Sequence, residues 1–93
     1  MCKLSNAEMR SRLMQITGAY LRLTERQGLS PESVPLAKLC KWYGFHNFTR
    51  VDTLKEALFD VTKARKTERD YLGRSLSVEK TMGIVFKALH VKI

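Results

Sequence analysis

Glycine and proline are scarce in this chain, with 5 and 2 in 93 residues, and neither gathers into a tract. That excludes a flexible linker or a disordered tail and predicts one folded domain spanning residues 1–93. Also missing is any apolar run near the roughly 20 residues that cross a bilayer, and Met1-Cys2-Lys3-Leu4-Ser5 turns polar without the apolar stretch of a secretory leader. The expected location is the cytoplasm, with no membrane partner. Cysteine is limited to Cys2 and Cys40, one at the terminus and one on an apolar helix face, so two reduced thiols are expected rather than a bridge.

The usual catalytic signatures are absent as well: there is no H-E-x-x-H, no Walker loop, no G-x-S-x-G and no C-x-x-C. His46 and His90 lie far apart in the sequence. Cys40 and His46 are the one pair to weigh as nucleophile and base or as metal ligands, but no orienting third group or further ligand accompanies them. A core cysteine and a loop histidine are the simpler assignment. The expectation is a protein that binds rather than catalyses, with no cofactor.

What the chain does have is positive charge, since 17 Lys and Arg against 9 Asp and Glu give +8. So large an excess on a small domain creates a field that attracts polyanions, of which nucleic acid is the commonest. The bland alternative is a soluble surface that happens to be basic. With 44% apolar residues there is also enough hydrophobic material for one modest core.

The spacing of the apolar residues predicts an all-α bundle of about four helices. Ser5-Asn6-Ala7-Glu8 reads as a capping box flanked by Leu4 and Met9, and Met9, Leu13, Ile16, Tyr20 and Leu23 then mark one stripe. A first helix is expected from Asn6 to Gln27, ended by Gly28 in a left-handed cap. Its outer face carries Arg10, Arg12, Arg22 and Arg26. Ser30-Pro31 and Ser33-Val34-Pro35 offer starts for a short second helix through Leu36, Leu39, Cys40 and Tyr43, stopping at Gly44.

A third helix should start at Thr49 or Thr53, bury Val51, Leu54, Leu58 and Val61, and reach Ala64 or continue to Gly73. Its recurring carboxylates Asp52, Glu56 and Asp60 interleave with Lys55 and Lys63, which reads as a solvated charged face. The C-terminal segment carries two patterns. Val78, Met82, Val85 and Leu89 fit a helix capped by Ser75 or Ser77, whereas Gly83-Ile84-Val85-Phe86 is β-prone and Lys87 to Ile93 can be read with period two. A helix from Val78 to Leu89 with a short extended tail is favoured.

Within this plan the second helix, the turn holding Gly44 and the third helix resemble a helix-turn-helix, with Cys40 at the small-residue position and Gly44 opening the turn. The resemblance covers Leu36 to Val61, with a longer turn than usual. It implies a transcriptional regulator on duplex DNA, favoured over RNA, acting alone or as a homodimer. His46, Asn47, Thr49, Arg50 and Lys55 would then stand near the start of the reading helix, Arg50 suited to guanine and Asn47 to adenine. Lys38, Lys41, Lys63, Arg65, Lys66, Arg69 and Arg74 would face phosphates. The rival reading is a protein-interaction module in which Trp42, Phe45 and Phe48 form an aromatic contact patch. Tyr43, Phe45 and Phe48 equally suit core packing, and Trp42, offset from the stripe, is the best exposed anchor.

Overall fold

The chain begins its first helix where a serine and a glutamate can satisfy each other's backbone. In the computed structural model, which describes residues 4–46 and 48–92 with the side chains of residues 48 and 49 outside the described set, Ser5 caps α1 (Asn6–Leu21). The Glu8 amide donates to Ser5 Oγ at 3.1 Å and the Ser5 amide to the Glu8 carboxylate at 3.2 Å, the reciprocal pattern of a capping box. That acceptor role, with Arg12 nearby, holds the Glu8 carboxyl below the usual carboxylate range.

The helical path past Leu21 differs from the sequence expectation in pitch. Residues Arg22–Arg26 form a π-helical turn in place of continued α-helix. Thr24 supplies a local cause: its hydroxyl donates to the Tyr20 carbonyl at 3.1 Å, competing with backbone amides for the acceptors of the last turn. The wide turn closes at Gly28, and the Leu29 amide reaches back to the Leu23 carbonyl at 3.0 Å. A 3₁₀ turn, Pro31–Ser33, leads to α2 (Leu36–Trp42), which starts directly after Pro35 with no serine cap.

α3 (Phe48–Leu72) and α4 (Val78–Ala88) complete an all-α bundle of four helices, with no strand among the described residues. α3 opens at Phe48, so Thr49 and Thr53 both lie inside it; the position that would cap it, residue 47, is outside the described residues. It takes the longer of its two expected lengths and stops at Gly73. Of the two serines offered for α4, Ser77 is the cap, accepting from the Lys80 amide at 3.1 Å. The β-prone run Gly83-Ile84-Val85-Phe86 is helical, because it presents Val85 and Phe86 together with Met82 to the core, an arrangement a strand would split between two faces.

One apolar cluster joins all four helices, built on Leu13, Ile16 and Tyr20 from α1, Cys40 from α2, Leu54, Leu58 and Val61 from α3, and Val85 from α4. The stripes read from spacing are largely these residues. Val78 departs from its stripe and is 69% exposed: it occupies the first turn of α4, beyond the reach of the facing helices. One polar bridge crosses the core. Thr62 donates its only proton to the Leu58 carbonyl at 3.0 Å, so the Tyr20 hydroxyl is the donor in its 2.9 Å contact with Thr62, and burial pushes the Tyr20 phenol upward in pKa.

Candidate nucleic-acid interface

The periodicity of α2 decides which of its residues face outward. Leu36 and Cys40 are buried, which turns Lys38, Lys41 and Trp42, spaced i, i+3 and i+4, onto one solvent-facing side. Trp42 is 82% exposed there, large for an aromatic side chain with so much apolar surface. Past α2 the chain reverses at Gly44, whose φ of 77° is open to glycine. The Phe45 amide returns to the Cys40 carbonyl at 2.7 Å and the Gly44 amide to the Lys41 carbonyl at 3.2 Å, a Schellman turn. Phe45 is thereby driven into the core at 2% exposure, while His46 emerges exposed.

Lys38, Lys41, Phe45 and His46 help to enclose a cleft of about 370 Å³ between α2 and the first turn of α3, whereas Trp42 lines a separate recess against Glu8, Arg12 and Gln15 of α1. Cys40, Phe45, Val51 and Ala37 supply the cleft with an apolar lining, and Lys38, Lys41 and His46 stand around it, with no carboxylate among the described lining residues. Burial pushes the Cys40 thiol up to about 11. It is protonated at neutral pH and behaves as a small apolar group. Among the described residues no group of three or more His, Cys, Asp or Glu is placed to hold a metal ion.

The remaining residues selected from the sequence scatter into three other environments. Arg50, at the start of α3, donates to the Leu89 carbonyl at the end of α4. The exposed side of the same α3 segment carries Asp52 and Glu56 beside Lys55, and the Lys55 ammonium sits 5.9 Å from the Phe59 ring centroid. Further along, Arg65 is bound within the fold: it meets both Glu25 oxygens at 2.7 and 2.8 Å and donates to the Leu76 carbonyl and the Thr81 hydroxyl. Arg74 pairs with Glu68 at 2.9 Å. Lys63, Lys66 and Arg69 are exposed, and the last two border a recess against Thr24, Glu25 and Thr62. Val51 and Lys66 are separated by 15 residues of helix, or about 22 Å of rise, so the two cationic regions are distinct. Asn47 and the side chains of Phe48 and Thr49 lie outside the described residues.

Sequence reasoning missed what the first helix does with its arginines. Arg10 donates to the Lys92 carbonyl and Arg12 to the Gly44 carbonyl, each at 2.7 Å, so two cations read as outer-face charge hold the C-terminal segment and the turn after α2. A signal for the α2 region was present: from Ser33 to Val51 the chain contains no Asp or Glu. Comparison with protein-family models, with curated proteins and with solved structures found no match.

Proposed function

We propose that this protein is a small basic nucleic-acid-binding module without catalytic activity, and that α2 is its principal contact face. The observation that carries the reading is the placement of Lys38, Lys41 and Trp42 on one exposed side of a helix, with His46 beside them, in a stretch free of acidic residues. Ammonium groups so placed meet phosphates, and an exposed indole adds a stacking or packing surface.

The duplex-reading version, with α3 in the major groove as part of a helix-turn-helix and the protein acting in transcription, draws support from buried Cys40 and from Gly44 in the turn. Against it stand Asp52 and Glu56, exposed near the start of α3 where they would face phosphates, and Arg50, already bound to the Leu89 carbonyl. On the α2 face, Lys38 and Lys41 stand clear of acidic lining, and Glu8, in the recess beside Trp42, is engaged by Ser5 and Arg12. A protein-interaction module remains the second reading, favoured by the degree to which Trp42 is exposed.

Electrophoretic retardation and fluorescence anisotropy at low salt test the first reading. Affinity should fall linearly on a log–log plot as salt rises, and Lys38→Glu with Lys41→Glu should abolish the shift while leaving the circular dichroism unchanged. A flat salt dependence together with loss of partner capture in Trp42→Ala would transfer the case to the second reading.

A further inference from the structure

The cleft beside α2 has the size of a small-molecule pocket and an apolar lining with cationic groups at its edge. About 370 Å³ lies within the range that encloses a flat aromatic ligand. Cys40 and Phe45 form its buried floor, Val51 and Ala37 its apolar sides, and the charged groups stand at its edge. A ligand that matches is an aromatic ring joined to negative charge. A duplex does not offer that combination at its surface, because its base faces are stacked and only edges and phosphates are presented. A single strand does, since each nucleotide brings a free ring face and a phosphate a few ångströms away.

We propose that this cleft receives one unpaired base of a single-stranded nucleic acid, with the adjoining phosphates held by Lys38 and Lys41 and a neighbouring base stacked on Trp42. The proposal rests on the nucleic-acid reading above and narrows it from polyanion in general to unpaired strands. The charge pattern supports it over an apolar peptide: among the described residues the lining contains Lys38, Lys41 and His46 and no carboxylate to balance them. Trp42, next to Lys41 on the exposed ridge of α2, lines the recess on the α1 side rather than the cleft itself, so a strand seated in the cleft reaches the indole with a neighbouring base by crossing that ridge.

Trp42 is the sole tryptophan, so its fluorescence reports directly on this face. The intact protein would be titrated with a twelve-residue oligothymidine and with a twelve-base-pair duplex of mixed sequence in the same low-salt buffer, following Trp42 emission and the anisotropy of labelled strands. The single strand is expected to bind at least about tenfold more tightly and to quench Trp42. Ala37→Phe, which fills the cleft from an exposed position, should lower single-strand affinity about tenfold with little effect on duplex affinity or melting temperature. Val51→Phe provides an independent filling from the α3 side. Duplex binding as tight as single-strand binding, or single-strand affinity unchanged in both filled variants, overturns this inference and leaves the general nucleic-acid reading in place. Failure to bind either nucleic acid overturns both. If an acidic, tyrosine-containing peptide displaces the oligothymidine at lower concentration than unlabelled oligothymidine does, the cleft belongs to a protein partner and the inference falls.

Discussion

The C-terminal ends of α2 and α4 adopt the same turn with different residues at its critical position. After α2 the left-handed residue is Gly44, with φ 77°; after α4 it is His90, with φ 54°. Both turns carry the paired Schellman bonds, Phe45 to Cys40 and Gly44 to Lys41 in the first, Val91 to Phe86 and His90 to Lys87 in the second. Both bury the apolar residue that follows, and both receive an arginine from another helix, Arg12 on the Gly44 carbonyl and Arg50 on the Leu89 carbonyl. The difference is space. A Cβ on Gly44 would press on the Arg12 guanidinium, whereas the His90 side chain is exposed. Glycine therefore serves two needs in the first turn, φ and close approach, and histidine in the second turn meets only the cost of φ.

The largest effect should come from giving the first turn a side chain. Gly44→Ala combines left-handed strain of about 1 kcal/mol with weakening of the charge-assisted hydrogen bond from Arg12, whose flexible guanidinium must shift, for a loss of about 2 kcal/mol in urea unfolding. Stability within about 0.5 kcal/mol of the parent would refute the steric account. The coupling can be isolated. Arg12→Ala alone should cost about 1.5 kcal/mol, and in its background Gly44→Ala should cost only the strain, so the double variant is clearly less destabilised than the sum.

His90→Gly should act in the opposite direction, adding about 1 kcal/mol by relieving strain, less the extra freedom glycine gains in the unfolded chain. A higher denaturant midpoint at unchanged slope is the expected readout. A lower midpoint would mean that the imidazole stabilises the turn through its own contacts.

The two turns also mark how far the sequence could be read. Gly28, Gly44 and Gly73 were legible as helix ends because a left-handed terminus favours glycine, and Ser5 with Glu8 because a capping box spans four residues. The end of α4 was legible at Leu89 from its apolar stripe, although no glycine marks it and the same residues also fitted a period-two strand; the packing of Val85 and Phe86 decides between the two. The arginine bonds were out of reach. Arg10 to Lys92, Arg12 to Gly44 and Arg50 to Leu89 span 82, 32 and 39 positions, and no local pattern encodes which carbonyl will lie opposite a guanidinium. At the α2 face, spacing placed Trp42 outside the stripe, and the inward turn of Phe45 followed once Gly44 was in place. The cleft over Phe45 depends on how α2 meets α3, a tertiary relation.

The π-helical end of the first helical segment sharpens the comparison from the other side, because its clamp joins two charges where the α2 and α4 turns join a charge to a neutral carbonyl. Glu25 in that turn accepts two hydrogen bonds from Arg65, which hold its carboxyl below the usual carboxylate range, against an opposing push from partial burial. A lowered folded-state pKa means that the pair stabilises the protein above the ordinary carboxylate pKa and that this share is lost as pH falls through the lowered value. The pair is partly open to solvent, so the effect is small, about 0.5 kcal/mol after screening. Glu25→Gln should accordingly destabilise by that amount at pH 7, and the difference should shrink as pH falls below the ordinary carboxylate range and vanish once the folded-state carboxyl is protonated. The hydrogen bond from Arg12 to the Gly44 carbonyl involves no carboxylate, so the coupling between Arg12→Ala and Gly44→Ala should persist in acid. If that coupling also vanished at acid pH, Arg12 would be held by the Glu8 carboxylate 3.8 Å away, and the first turn would owe its arginine to an ion pair instead of to the carbonyl it caps.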